Sequence, residues 1–460
     1  MLKIKFIGAA GMVTGSCTLL QFNHSQYLVD CGMYQGPREI RQRNWETQID
    51  VKKIKAILLT HAHIDHSGLI PKVVKEGFRG PIYCSSGTAD LCRIMLPDSG
   101  YLQEEDARFA NERKYSKHFP AEPLYTQKDA VNSLAQLSPG PLNEWIELEP
   151  GLSIRFLRSG HILGSTFIQV YATNGERPHT LTFSGDLGHG SSFILRPPVH
   201  ISETDSLVLE STYGDRVQKR GGEDEKLAEI INKVIRREGT LVIPAFTVGR
   251  TQEILYLIAK LETQNKIPKT TVYLDSPMAQ DVTELFSRHK EELSFELVGD
   301  TVFPSIKCTH FKSVKSADDS MLLCMNTDPK IVISAAGMLT GGRVLHHLKA
   351  KLPDPKSAVL FVGYQVEGTK GYLLKNGMMN IRIHHQNINV EAEIYSIDTF
   401  SAHADSNELI SWVKNMNRKP RQIFVNHGEK SALEALAYRL RHELEIDTEV
   451  AKLGESYSLA

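Results

Sequence analysis

The sequence predicts an α/β protein of two domains, and three observations carry that prediction. Short apolar runs separated by turns fill the first two hundred residues. From about Ser206 strands alternate with helices instead. Polar, reactive side chains recur just past the ends of strands, where α/β folds present their functional groups. A chain of 460 residues is also too long for one small core, so at least two domains are expected.

The elements follow in order. Ile4 to Ile7, Thr18 to Phe22, Gln26 to Val29, Ala56 to Leu59, Ile82 to Cys84, Leu152 to Phe156, Thr166 to Tyr171 and Thr180 to Phe183 read as strands. Most are joined by turns or short loops, which predicts a largely antiparallel or mixed sheet. Leu91 to Lys117 is charged and periodic and reads as one or two solvated helices covering a face. After Ser206 come the strand Leu207-Val208-Leu209, a helix from Glu223 to Glu238, the strand Thr240 to Ile243 and a helix from Thr251 to Glu262. The strand Thr271 to Leu274, a helix from Ala279, the strand Ile331 to Ser334, a helix from Gly342 and the strand Ala358 to Val362 continue the alternation. This is the grammar of a doubly wound parallel sheet. From about Glu393 a further strand leads to a helix, Ser406 to Met416, and the strand Gln422 to Val425.

Composition excludes several classes. No run of about eighteen apolar residues is present, and the opening Met1 to Gly8 alternates like a strand rather than a signal peptide. Six cysteines at 17, 31, 84, 92, 308 and 324 form no C-x-x-C pair, which suits reduced thiols in the cytoplasm. A formal charge of −1 argues against a nucleic-acid coating protein. It leaves a nucleic-acid enzyme open, because metals and a local basic groove can attract phosphates.

His61-Ala62-His63-Ile64-Asp65-His66 follows the apolar run Ala56-Ile57-Leu58-Leu59 and places four potential metal ligands in six positions. Imidazoles with a carboxylate suit a divalent first-row metal, zinc above all. Four tetrahedral ligands cannot come from six adjacent residues without severe backbone strain. The spacing therefore predicts two metals, one served by His61 and His63 and the other by Asp65 and His66. Further ligands are required from elsewhere. His161 in Gly160-His161-Ile162-Leu163-Gly164, Asp186 in Ser184-Gly185-Asp186-Leu187-Gly188 and His427 in Asn426-His427-Gly428 all sit past strand ends beside glycines. Asp30 in Val29-Asp30-Cys31-Gly32 has the same placement. Each alone would be read as a turn or cap residue; their recurrence beside the six-residue cluster is the signal.

The ordered set Asp30, His61-x-His63-x-Asp65-His66, His161 and Asp186 resembles the successive motifs of the metallo-β-lactamase superfamily. Leu209-Glu210-Ser211-Thr212-Tyr213-Gly214-Asp215, Thr399-Phe400-Ser401-Ala402-His403-Ala404-Asp405 and Asn426-His427-Gly428 resemble its β-CASP nuclease branch. The likeness is greatest to compact bacterial and archaeal enzymes similar to the cleavage-and-polyadenylation endonuclease subunit. Neither an N-terminal RNA-binding extension nor the long C-terminal domain of ribonuclease J is expected. The resemblance implies an αββα sandwich from residues 1–205 and 394–460, with an α/β β-CASP domain inserted at 206–393. It implies one Zn²⁺ on His61, His63 and His161, a second on Asp65, His66 and His427, and Asp186 bridging them. Asp30 would orient the ligands, and Glu210 with His403 would handle the leaving-group proton.

Such residues support hydrolysis of a phosphodiester. A hydroxide held between the metals is the expected nucleophile, Asp65 takes part at the metals, and His403 is the natural acid for the leaving alkoxide. Read locally, His403 could equally be a core or capping histidine beside Asp405. Three glycine-bearing turns could cradle phosphates: Phe246 to Arg250, Ser334 to Arg343 and Gly363 to Gly371. Ser334, Gly337, Arg343 and Arg250 are the residues expected to grip RNA. No nucleotide-binding G-x-x-x-x-G-K-[ST] or G-x-G-x-x-G is present.

The expected function is a zinc-dependent ribonuclease acting endonucleolytically on single-stranded RNA in the cytoplasm, with no membrane partner; a homodimer is compatible. A 5′-to-3′ exoribonuclease is the first alternative and a thioester or lactone hydrolase the second. A binding subunit that has lost catalysis is a third, and it would be expected to lack ligands, whereas every metal position here is filled.

Overall fold

The structure is a computed structural model that describes residues 2–46, 49–114, 119–173, 177–219, 221–294, 306–363, 365–366, 368–397 and 399–459. The chain divides into two compact units. The first comprises Met1–Ser191, Pro197–Val217 and His403–Ala460; the second comprises Ser192–Arg196 and Gln218–Ala402.

The first unit is built on two seven-stranded mixed sheets. One runs in the order Ser456–Leu459, Leu2–Phe6, Thr18–Phe22, Ser25–Val29, Ile54–Leu58, Ile82–Cys84 and Leu137–Pro139. The other runs Asp447–Val450, Gln422–Val425, Ser206–Leu209, Pro178–Phe183, Thr166–Thr173, Leu152–Arg158 and Ile146–Glu149. Alternation writes the packing: Leu2, Ile4 and Phe6 are buried while Lys3 and Lys5 are half-buried. Leu2, Ile4, Phe6, Leu20 and Phe22 of the first sheet share one core with Ile154, Phe156, Ile168, Val170 and Phe424 of the second. On the other face of the second sheet, Leu207, Leu209, Ile423 and Val425 meet Leu409, Trp412 and Val413 of helix Ser406–Lys414 and Leu433, Leu436 and Leu440 of helix Lys430–Glu443. Ser206–Leu209 is buried at all four positions because it is covered on both faces.

The second unit carries a six-stranded parallel sheet in the order Phe311–Ser313, Thr271–Leu274, Lys330–Ser334, Thr240–Pro244, Ala358–Phe361 and Glu393–Ser396. Helix Glu223–Arg236 leads into the strand Thr240–Pro244, and helices Arg250–Thr263, Pro277–Arg288 and Val344–Lys351 connect strands of this sheet, as the alternating grammar predicts.

Two expectations are corrected. Ser206–Leu209 pairs in parallel with Pro178–Phe183 and Gln422–Val425, so it belongs to the first unit and the boundary moves from 206 to about Gln218. Glu393–Ser396 pairs with Ala358–Phe361, which carries the second unit on to Ala402 rather than 393. Buried runs look alike in either sheet, and strand pairing is invisible to local pattern. The stretch read as one or two helices covering a face is one helix, Ser86–Arg113, whose packed face buries Leu91, Cys92, Leu96 and Ala107; residues 115–117 of it lie outside the described residues. Helix Lys430–Glu443 and the strands Asp447–Val450 and Ser456–Leu459 went unread. Ser456–Leu459 is short and polar, and it is a strand because it adds to Leu2–Phe6.

Candidate metal centre

The site forms where strands of both sheets of the first unit end. Ile54–Leu58 ends two residues before Thr60 and three before His61, and helix Ile64–Ser67 starts at once behind His63. Three histidines and an aspartate are thereby turned inward within one turn and a half. His161 comes from the turn between Leu152–Arg158 and Thr166–Thr173, where Ser165 Oγ accepts hydrogen bonds from the His161 and Ile162 amides at 2.9 and 3.1 Å. Asp186 follows Pro178–Phe183 and His427 follows Gln422–Val425.

Two sets of ligand atoms result. His61 Nε2 and His161 Nε2 each lie 3.2 Å from His63 Nδ1 and 3.5 Å from Asp186 Oδ2. His66 Nε2 lies 3.1 Å from His427 Nε2 and 3.3 Å from Asp186 Oδ1, and Asp65 Oδ2 is 3.6 Å from His427 Nε2. The two oxygens of Asp186 thus face different sets. A tetrahedral zinc with bonds of about 2.0–2.1 Å to nitrogen keeps its ligand atoms about 3.3–3.4 Å apart. The donor set therefore fits two zinc-sized cations, one held by His61, His63 and His161, the other by Asp65, His66 and His427, with Asp186 able to touch both.

Electrostatics agree with that fit. Burial, helped by neighbouring imidazoles, holds His61 well below the ordinary histidine pKa, and burial lowers His63 too, so both offer lone pairs. Asp65 is kept ionised near pKa 2: burial opposes this, but the His427 hydrogen bond and nearby imidazoles outweigh it. Asp186 is likewise held well below the usual carboxylate range, burial being outweighed by His427, His66 and His61. Burial disfavours charge on His66, yet Asp186 and Asp30 raise its pKa well above the ordinary value. A cation held there would balance the same carboxylates, so metal uptake would compete with protonation of the ligands.

Orientation comes from the residues behind the ligands. Asp30 is buried and accepts from His66 Nδ1 at 2.7 Å, from the Thr60 amide at 2.8 Å and from the Thr60 hydroxyl at 2.9 Å. Its φ of 62° and that of His427, 52°, are left-handed conformations uncommon outside glycine. Thr60 Oγ1 also lies 3.0 Å from His61 Nδ1, which fixes the ring so that Nε2 points inward. Sequence reasoning missed Thr60; its position directly before His61 at a strand end was the available signal.

Gly32 makes this support possible. Ser16, Cys31 and Met33 donate their amides to the carbonyls of Asp65, His66 and Ile64 at 2.7, 2.8 and 2.9 Å. A Cβ on Gly32 would lie 1.6 Å from the Asp65 carbonyl oxygen, so any side chain there must push the ligand turn away. Gly32→Ala is expected to weaken metal binding by roughly 10–100-fold, the usual cost of disturbing ligand support. Competition with a chelator measures this, and unchanged affinity would show that the turn tolerates the displacement.

His403 and Glu210 adjoin the ligands. Ala404 donates its amide to Leu187 O at 2.8 Å, and His403 bridges to Gly188, which anchors it beside Asp186. A Cβ on Gly188 would lie 2.0 Å from Gly160 O, so glycine is required where these loops cross. His403 Nδ1 is 3.3 Å from Glu210 Oε2 and 4.0 Å from Asp186 Oδ2. Burial opposes its charge, but Glu210 first and then Asp186 raise its pKa to about 9.

The expected RNA-gripping residues fare differently. Ser334 is fully buried and donates to Asp275 O at 2.9 Å. Arg250 is buried and pairs with Glu253 at 2.6 Å. Arg343 donates to Asp275 Oδ1 at 2.8 Å and to the carbonyls of Val314 and Lys315 at 3.1 and 2.7 Å. Gly337 is buried, and its carbonyl accepts from Gln365 Nε2 at 3.1 Å. These contacts knit the second unit together and engage the groups expected to grip a phosphate. Isolated sequence turns do not reveal such internal partners. Tyr364, in the third glycine-bearing turn, lies outside the described residues.

Comparison with known proteins follows the same lines. Residues 10–227 match the metallo-beta-lactamase superfamily, residues 251–374 the Beta-Casp domain and residues 387–451 the Zn-dependent metallo-hydrolase RNA specificity domain. The chain is 35% identical over 460 residues to a protein named Ribonuclease TTHA0252 of Thermus thermophilus, covering 99% of each. It is 30% identical to the transcription termination factor FttA of Methanocaldococcus jannaschii, over 94% of this chain and 67% of that one. The FttA of Methanosarcina mazei is also 30% identical, over 97% and 70%. A crystal structure of a protein of unknown function from Enterococcus faecalis superposes with a TM-score of 0.56 at 14% identity, covering 100% of both chains, which is a likeness of fold. The chain belongs to the metallo-β-lactamase superfamily and, within it, to the β-CASP nuclease branch.

Proposed function

We propose that this chain is a zinc-dependent ribonuclease that cuts single-stranded RNA internally, leaving a 5′-phosphate and a 3′-hydroxyl. At the coarser level it is a metal-dependent hydrolase acting on RNA, in keeping with its relatives. The observation that carries the finer reading is the convergence of seven ligand residues in two sets joined by Asp186, with the His403–Glu210 pair beside them. Bound there, two divalent cations would acidify a water and neutralise charge on the phosphate.

The protein's own groups do the rest. Asp186 and Asp65, ionised at neutral pH, set the charge of the centre. Glu210 holds His403 through Nδ1, so Nε2 is the nitrogen that would meet the leaving oxygen. As the water oxygen bonds to phosphorus and the bond from phosphorus to O3′ breaks, the His403 proton passes to O3′. A free 3′-hydroxyl results, and His403 is reprotonated from solvent.

The partly buried ligands favour a single strand, whose phosphate can leave its helical path to reach them. The six cysteines are buried and unpaired, which favours a reducing compartment such as the cytoplasm. Among the described residues, no helix is long and apolar enough to cross a membrane. Purified chain should carry two zinc ions by elemental analysis; less than one per chain would sink the two-metal reading. End-labelled linear and circular RNA, with and without chelator, test the reaction. Chelator-sensitive opening of the circle is expected, a spared circle with a shortened linear strand would make it an exonuclease, and sparing of both would end the proposal.

A further inference from the structure

The second unit holds an exposed group of basic side chains that the hydrolytic site does not use. Strands Asn380–Ile383 and Gln386–Asn389 form a hairpin in which Ile383 pairs with Gln386, so His384 and His385 are the whole of the turn. Both have positive φ, 46° and 65°. A two-residue turn with two positive φ angles strongly prefers Asn-Gly, and two histidines there are strained. Strain of this kind concentrates where a residue is needed for something other than stability.

The surroundings indicate what that is. Ile381, Ile383, Ile388 and Val390 bury the hairpin against Val344, Leu345 and Leu348 of helix Val344–Lys351 and Leu374 of helix Lys370–Lys375. That packing sets His346 against His384, ring centroids 4.6 Å apart and edge to face. His346 and Lys349, three residues apart on one helix face, are exposed, as are His384 and His385. His384 loses basicity first to its partial burial and then to His346, Lys349, Lys370 and His385, all of them basic. Like charges gathered at the cost of backbone strain make sense if an anion spans them. Their spread over two helices and a turn suits a chain of phosphates.

We propose that His346, Lys349, Lys370, His384 and His385 form a contact surface for the RNA phosphate backbone that strengthens as the imidazoles gain protons. The proposal rests on RNA as the substrate. Sign follows directly: protonated imidazoles attract phosphate, neutral ones do not, so binding tightens as pH falls from 7.5 to 5.5.

The test is His384→Asn with His385→Gly, which installs the residues the turn prefers while removing both imidazoles. Binding of a fluorescent single-stranded oligoribonucleotide to the full chain, in excess chelator so that it is not cut, is measured by anisotropy at both pH values over a salt series. The double variant is expected to melt a few degrees higher than the wild type. Its salt slope at pH 5.5 is expected to be shallower than that of the wild type, by at most about 1.4 if both contacts to a single strand are lost, and its pH dependence to flatten. His346→Gln, on the helix, should give a smaller change in the same direction. Wild-type pH and salt dependence in the double variant would overturn the surface while leaving RNA cleavage standing. Complete competition by inorganic phosphate at matched ionic strength would also overturn it, by reassigning the group to a single anion. Failure of metal-loaded wild type to cut RNA is the separate result that overturns the functional reading.

Discussion

Asp186→Ala is expected to abolish hydrolysis and to strip the centre of metal. Asp186 is the one residue whose two oxygens face both ligand sets, Oδ2 at 3.5 Å from His61 and His161 and Oδ1 at 3.3 Å from His66. Removing it would take a ligand from each proposed cation and leave four buried imidazoles with less negative charge to balance them. Metal catalysis contributes several kcal/mol to transition-state stabilisation, so the rate should fall by about 10³-fold or more. His63→Ala and Asp65→Ala each disable one set and should also abolish activity. Elemental analysis separates the cases: the Asp186 variant should lose both metals, the others chiefly one. Full zinc content in Asp186→Ala would contradict its bridging role.

The second large effect concerns the proton. His403→Ala should keep both metals and slow the chemical step by roughly 10²–10⁴-fold, the usual contribution of a general acid. The acid works only when protonated, so activity is supported below the His403 pKa and lost as pH rises through it. That pKa is about 9 with Glu210 beside it, burial notwithstanding; bound cations push the other way, so the alkaline limb should lie at or below pH 9. Glu210→Gln should shift the limb to lower pH by weakening its hold on the proton. His403→Ala should lack this limb altogether. Wild-type kinetics in that variant would remove His403 from the mechanism.

Much of the centre was legible because its residues follow a local rule. A strand ends, and a polar residue two or three positions beyond it projects into the site; His61, His161, Asp186 and His427 all obey this. Their neutral or ionised states were not legible, because these depend on which groups meet. His66 is raised by Asp186 and Asp30, and Asp30 lies 36 positions away in sequence. The internal partners of the residues expected to grip a phosphate were not legible for the same reason. Nothing local in Ser334 or Arg343 announces Asp275, the buried carboxylate that engages Arg343 and whose carbonyl takes the Ser334 hydroxyl.

The sequence by itself determined the α/β class, the change of grammar after the first sheet-forming region and the candidate ligands, since hydrophobic periodicity and ligand chemistry are written residue by residue. Tertiary structure alone decided that Ser206–Leu209 belongs with the metal centre and that Ser456–Leu459 closes the first sheet. It alone decided that Asp186 faces both ligand sets, and that two histidines share a strained turn beside Lys349 and Lys370. Pairing, burial and charge are properties of neighbours in space, and the chain supplies those neighbours only when it folds.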